Sequence, residues 1–244
     1  MKKRLREKII ASSVLLVLAV LFVIKFGAPS ILTLYVESGM GGCQQQPVFC
    51  TIPNDTIIDP SIDQDYVKEL IPYNVEGIRI SIPKGFSFIK QNVMKVYYKR
   101  KKVPIEQQSV IYILARDKDF FVSLFPQFKK NGIANDYDFL WRTMNAKTRE
   151  IKNLNDAFFS IMKSIFTPNL GDQKNLKILN FTSNGKRGFI SYSSDSWGSY
   201  FDCNLLDARD NFFKLYIRDK RSVLDVNKIL AILSTLNRQE NTLN

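Results

Sequence analysis

Histidine does not occur in the 244 residues, and no other absence excludes as much chemistry. Imidazole is the commonest general base and a frequent metal ligand near neutral pH, so Ser-His-Asp and Cys-His nucleophilic systems are ruled out. Glycine is scarce, at 11, and falls in no G-x-S-x-G elbow, Walker loop or dinucleotide fingerprint. Cysteine occurs three times, at Cys43, Cys50 and Cys203, without the paired C-x2-C spacing of structural zinc. The acidic pairs Asp63/Asp65, Asp117/Asp119 and Asp136/Asp138 lack the glycine and glutamate of a calcium loop and suit turn and helix-start positions. No metal and no cofactor are expected.

What is present describes a folded chain: 45% hydrophobic, 12% aromatic and 24% charged residues, enough apolar surface for one core. The N-terminus is the clearest local signal. Met1-Lys-Lys-Arg-Leu-Arg-Glu-Lys8 precedes an apolar run from Ile9 to Ile24, which resumes after Lys25 through Phe26 to Val36. The first run, as a helix, spans about 24 Å, short of the ~30 Å hydrocarbon layer. The helix is therefore expected to continue past Lys25, whose amine snorkels to the headgroups, with Pro29 a place to kink or end it. Five cations precede the run, and after Lys25 none appears before Lys68. That asymmetry predicts a cytoplasmic N-terminus and a C-terminal domain in the periplasm or outside the cell. A cleavable signal peptide fits less well, because its apolar region is shorter and no A-x-A site follows. The Met40-Gly-Gly-Cys43 stretch lies too far beyond the run for a lipoprotein site, and a soluble core helix would not explain the basic block.

Residues 1–36 are thus expected as basic tip and transmembrane anchor, 37–76 as a linker or a stalk packed loosely on the domain, and 77–244 as one soluble extracytoplasmic domain. Cys43 and Cys50 enclose a segment containing Pro47 and are a candidate disulfide in an oxidising compartment. Cys203 is left over, in an alternating stretch that suits a buried free thiol better than the alternative, a reactive one.

Within the domain, Ile78, Ile80 and Ile82 alternate with polar residues before Pro83-Lys-Gly85 and a run from Phe86 to Ile89, which predicts a hairpin. Further strands are expected at 93–99, 109–115 and 120–125. A helix follows behind Asn135 and Asp136, with Tyr137, Leu140, Trp141 and Met144 on one face. A second, at 156–166, carries Phe158, Phe159, Met162, Ile165 and Phe166, stopped by Thr167-Pro168 and Gly171. Strands at 176–181 and 188–193 join across Asn184-Gly185, the strongest hairpin dipeptide. Strands at 200–207 and 212–218 join through 208–211. A closing helix begins at a capping box, Ser222 to Asp225, its stripe made by Val226, Ile229, Leu230 and Leu233, with Asn237 near its end. The expected fold class is α+β: an antiparallel sheet with helices packed on its faces.

The segment Gly77-Ile-Arg-Ile-Ser-Ile-Pro-Lys-Gly-Phe-Ser-Phe88, with the closing strand and helix, resembles the opening and the ending of PsbP-like α/β/α sandwich domains. It has Phe86 where that family commonly has Trp, and it carries a two-helix insertion. The resemblance implies a binding or assembly role, commonly without catalysis, and names no active-site residue.

One fragment admits a catalytic alternative. Ser160-Ile-Met-Lys163 has the S-x-x-K spacing that puts a hydroxyl and an amine on one helical face, and Ser194-Asp195-Ser196 could stand as a degraded companion, but no K-T-G exists. The expectation set against it is a solvated helix face. Charge is the remaining feature, at net +12. Without Lys2, Lys3, Arg4, Arg6, Lys8, Lys25 and Glu7, 29 Lys+Arg remain against 22 Asp+Glu. The densest stretch, Lys95-Val-Tyr-Tyr-Lys-Arg-Lys-Lys102, makes Lys95, Lys99, Arg100, Lys101 and Lys102 candidates for gripping an anionic surface; a plain solvated hairpin tip is the other reading. No nucleic acid is expected on the outer side of a membrane. The expected setting is a bacterial envelope; in a secretory pathway the sequons Asn54-Asp-Thr56 and Asn180-Phe-Thr182 would instead be glycosylation acceptors. The sequence points to a non-catalytic, membrane-anchored binding or assembly module, with a protein or an anionic envelope component as partner; the alternative is an envelope hydrolase using Ser160 and Lys163.

Overall fold

Asn184 and Gly185 both take positive φ, 50° and 72°, the conformation a two-residue hairpin turn demands, and the fold grows outward from there. The computed structural model describes residues 27–39, 43, 47–75, 77–84, 87–90, 95–98, 109–167, 175–196, 198–220 and 223–238. In chain order the elements are helix α1 (Ala28–Gly39), strand β1 (Asp55–Ile58), α2 (Gln64–Glu69), β2 (Ile71–Val75), β3 (Ile78–Ile82), β4 (Ser87–Lys90), β5 (Lys95–Tyr98) and β6 (Val110–Arg116). They continue with α3 (Phe120–Leu124), α4 (Asp136–Asn145), α5 (Leu154–Phe166), β7 (Lys177–Ser183), β8 (Lys186–Asp195), β9 (Gly198–Leu206), β10 (Phe212–Asp219), α6 (Val226–Ser234) and β11 (Asn237–Arg238).

Two sheets form. The large one has the order β1-β7-β8-β9-β10-β6-β5-β4 and the small one β11-β3-β2. The α+β class holds, but the sheet is mixed rather than purely antiparallel, because β1 runs parallel to β7, pairing Asp55 with Leu179 through Ile58 with Thr182. Strand alternation divides the large sheet's side chains between two cores. Phe181, Ile190, Leu205, Phe213 and Leu215 face α6 and the isoleucines of β3; their neighbours Ile178, Phe189, Leu206 and Phe212 face Phe121, Phe139, Phe159 and Phe166 of α3–α5. In the second core the Phe139 ring stacks on Phe121 at 4.8 Å and lies edge-on to Phe159 at 5.4 Å, pairings that add about 1 kcal/mol each beyond area burial.

Several expectations are corrected. The 37–76 stretch is not a loose stalk, since β1 belongs to the large sheet and β2 pairs along the whole of β3. The 78–82 strand does not turn back onto the next strand; its partners are β2 and β11, while β4 pairs with β5. Alternation shows that one face of β3 is buried but names no partner. The 120–125 stretch is helical, although aromatic and β-branched residues favour strands. There the buried Asp136 carboxylate accepts the amides of Phe121 and Val122 at 2.9 and 3.1 Å, capping α3 from a neighbouring helix. The α4 face is rotated, with Phe139 fully buried and Trp141 exposed. α6 is capped by Asp225 itself, which accepts from the Lys228 amide at 2.9 Å, and Asn237 opens β11 instead of closing the helix. Ser222, Phe86, Pro168 and Gly171 lie outside the described residues, as does the apolar run from Ile9 to Ile24. Among the described residues no helix is long and apolar enough to cross a membrane. Ala28–Val36, expected as the end of the anchor, lies in α1, whose Leu32 packs with Val48, Phe49 and Ala157 of the domain.

Candidate functional site

Helix α5 carries the serine and lysine of the catalytic alternative. Asn153 caps its start, accepting from the amides of Asn155 and Asp156 at 2.9 and 3.1 Å, and this sets the helix so that Ser160 and Lys163 point inward. They are 1% and 0% exposed, so the expectation of a solvated face is wrong for both. The Lys163 amine donates to the Ala146 carbonyl at 2.9 Å and to the Thr51 carbonyl. Ala146 is the C-cap of α4, where unpaired carbonyls and the helix dipole favour a cation. Burial lowers the Lys163 pKa to about 7, with the neighbouring Lys147 charge adding to the effect. The Ser160 hydroxyl has no hydrogen-bond partner, so the lysine does not hydrogen-bond to it. Activation of a serine by lysine needs a hydrogen bond of roughly 3 Å and a path for substrate, and here the hydroxyl has no such bond and neither group reaches solvent.

Outside this pair, a cleft of about 360 Å³ opens between α4 and α5, beside Trp141, Arg142, Lys147 and Lys152. Two of its three cations are paired, Arg142 with Asp156 at 3.0 Å and Lys147 with Glu150 at 2.8 Å. Exposed pairs of this kind add at most about 1 kcal/mol each. They make a salt-bridged rim rather than a reactive centre.

The more informative site lies on the large sheet. Across β8, β9, β10 and β6, strand register aligns Ser193, Tyr200, Arg218 and Val110 in one row, Ser191, Asp202, Tyr216 and Tyr112 in the next, and Phe189, Asn204, Lys214 and Leu114 in the third. All twelve share a face. At the Phe189 end that face joins the phenylalanine core; elsewhere it is polar and aromatic. Asp202, 3% exposed, is bound by the Lys214 amine at 2.9 Å and by the Asn204 amide at 3.0 Å. Burial pushes the Asp202 carboxyl up, and Lys214 and Asn204 draw it back down. The same two residues cap the end of α5, Lys214 donating to the Ile165 carbonyl and Asn204 to the Phe166 carbonyl, both at 2.8 Å. Above this pair a pocket of about 300 Å³ is lined by Tyr112, Leu114, Asp202, Lys214 and Tyr216. The two tyrosine rings meet at 5.5 Å and 50°, and the buried Ser191 hydroxyl and Asn204 carbonyl oxygen have no partner. The concavity offers ring faces and a fixed ion pair, with the unpartnered Ser191 and Asn204 atoms enclosed on the same sheet face beside it; mostly apolar walls with a few placed polar groups are the ordinary composition of a small-molecule or side-chain binding site.

Sequence reasoning missed this array. The alternation of Tyr200, Asp202 and Asn204 with Phe201, Cys203 and Leu205 did carry a signal, since two amides or acids in succession on one face of a central strand call for buried partners. The expected site residues fall elsewhere. Lys95 begins β5, whereas Lys99, Arg100, Lys101 and Lys102 lie outside the described residues. Cys43 and Cys50 are paired, their Cα atoms 5.7 Å apart, and each sulfur lies 3.8 Å from the Thr148 hydroxyl, which sets the loop against the turn preceding α5. Cys203 is fully buried, and burial pushes its thiol well above the ordinary range. Of the acidic pairs, Asp63 caps α2, Asp138 closes a capping box with Asn135 and Asp117 pairs with Arg238 at 2.6 Å. Among the described residues, no three His, Cys, Asp or Glu side chains converge as metal ligands. A search of protein-family models finds none that matches the chain, and a search of characterised proteins finds no match either.

Proposed function

We propose that the chain is a non-catalytic, membrane-anchored binding or assembly module, held by its N-terminal apolar run with the basic tip in the cytoplasm and the α+β domain on the far side. The observation that carries the binding part is the contrast between two sites. The Lys163 amine is enclosed and bonded to two carbonyls, whereas the pocket over Asp202 and Lys214 is open and lined by tyrosine rings. Support for the location comes from the cation asymmetry around Ile9–Ile24 and from the paired Cys43 and Cys50. The PsbP-like resemblance agrees with a role in binding or assembly.

Two measurements test the proposal. In intact cells, an external protease digests the C-terminal domain while the protein stays in the membrane after alkaline extraction; protection of the domain defeats the topology. A photo-crosslinking amino acid at Tyr216 yields a discrete adduct in cells, and one at Lys152 does not; equal, diffuse labelling at both positions defeats the binding site.

The hydrolase reading keeps two observations in its favour, the Lys163 pKa near 7 and the unpartnered Ser160 hydroxyl. It requires α5 to open. An acyl-transfer probe that labels the native protein and fails to label Ser160→Ala would establish it over the binding reading.

A further inference from the structure

Helix α1 has two apolar sides and only one of them is covered by the domain. Leu32 packs with Val48, Phe49, Ile151 and Ala157, and the helix lies along α5 and the 148–150 turn. Ile31, Leu34 and Tyr35, at positions i, i+3 and i+4, form a second stripe with exposures of 61, 63 and 65%. Three large apolar side chains left in water on one helical face are unfavourable, because apolar surface removed from water is stabilising roughly in proportion to its area.

The chain itself indicates what covers that stripe. Lys25, Phe26 and Gly27 alone separate Ile24, the last residue of the apolar run, from Ala28 at the start of α1. Four residue steps reach at most about 14 Å, so α1 begins within that distance of the point where the run ends. The run, as a helix, is about 24 Å long and falls some 6 Å short of a ~30 Å hydrocarbon layer, a deficit that about one turn of apolar surface would supply. Tyrosine favours the headgroup boundary, and a helix lying in the interface buries its apolar face about 5–10 Å deep.

We propose that the outer face of α1, made by Ile31, Leu34 and Tyr35, rests in the outer interface of the bilayer entered by the preceding run, docking the domain against the membrane along its α1–α5 edge. The inference rests on the anchored reading above and adds an orientation to it. Because α1 packs on α5, and α5 is fastened to the large sheet through Lys214 and Asn204, the pocket over Asp202 is held at a set height and angle above the lipid instead of swinging on a tether. The partner is the lipid surface, and a second copy of the chain is the competing occupant.

The test uses the full-length protein in lipid nanodiscs. Leu34→Cys and, as a control in the loop preceding α6, Val223→Cys are each labelled with a small fluorophore; Cys43 and Cys50 are paired and Cys203 is buried, so the introduced thiol takes the label. Lipids with a nitroxide near the headgroup are expected to quench the label at 34 at least roughly twofold more than the label at 223, as an interfacial depth requires. If the protein resists alkaline extraction yet the two labels are quenched alike, the docking inference fails and the anchor stands. Crosslinking between copies through position 34 in place of lipid quenching assigns the stripe to a dimer and likewise overturns the inference. A protein that remains in solution after the membranes are pelleted removes both the anchor and the docking.

Discussion

The Lys163 amine on α5 donates to the Ala146 carbonyl at the end of α4 at 2.9 Å, with no exposure to solvent. A cation placed where a helix presents unpaired carbonyls is favourable, but stripping its water disfavours the charged form, and this, with the nearby Lys147 charge, brings its pKa from 10.5 to about 7.

Stability should therefore rise with pH above neutrality. Between about 7 and 10.5 the unfolded chain binds a proton that folded Lys163 has released, so unfolding becomes harder as pH increases, by up to about 1.4 kcal/mol per pH unit for one proton. Lys186, its amine also lowered by burial, adds in the same direction. Cys203, Tyr66 and Tyr216 act oppositely, because burial raises each of them. Above the ordinary cysteine value of 9.0 the folded chain keeps protons that the unfolded chain loses. Urea midpoints are expected to climb from pH 7, pass a maximum near pH 9 and then fall, and Lys163→Met should flatten the rising limb. A midpoint that declines steadily from pH 7 in the wild type would contradict the burial of the amine.

Asp202 and Lys214 form the second charge relationship. Lys214→Ala leaves a buried carboxylate without its cation and the Ile165 carbonyl without its donor, and should cost about 3 kcal/mol; this is the low end for a buried pair because Lys214 retains 21% side-chain exposure. Asp202→Asn keeps the shape and should cost less. Both variants together should lose less than the sum of the two, since the pair is a coupled unit. Strict additivity in a double-mutant cycle would mean that the contact contributes nothing.

Gly188 faces Leu205 across the β8–β9 ladder, and a Cβ added there would lie 2.6 Å from the Leu205 Cα. Backbone cannot retreat from the centre of a sheet, so Gly188→Ala should destabilise by about 3 kcal/mol through overpacking. Gly132 provides a contrast. It has open space around it but φ of 81°, and an alanine there should cost only about 1 kcal/mol of backbone strain. Denaturant titration of the two variants would separate collision from strain, and equal losses would refute the distinction.

Thiol chemistry offers a further check. The native protein should leave Cys203 unreactive toward a maleimide. Unfolding without reductant should expose one thiol of the three cysteines, and reduction should expose the others. With Cys43 and Cys50 separated by 7 positions, the loop-entropy relation gives about 2.5 kcal/mol of stabilisation lost on reduction. Rapid labelling of the native, unreduced protein would show that Cys203 is not enclosed.

The residues themselves determined a good deal. The Asn184-Gly185 turn, the strand alternation on either side of it and the cap at Asn135 are local signals, because a backbone that needs positive φ or an orphan amide that needs an acceptor is satisfied within a few positions of chain. Excluding imidazole chemistry required only composition. Tertiary structure decided the matters in which two distant segments meet. It assigned β3 to β2 and β11, made 120–125 a helix by reaching across with Asp136, and turned Ser160 and Lys163 inward, because helical period says which residues share a face but not which face the rest of the molecule covers. The array of Ser191, Asp202, Tyr216 and Tyr112 exists only through the register of four strands drawn from 110 to 219, and no window along the chain contains the hydrogen bonds that align it.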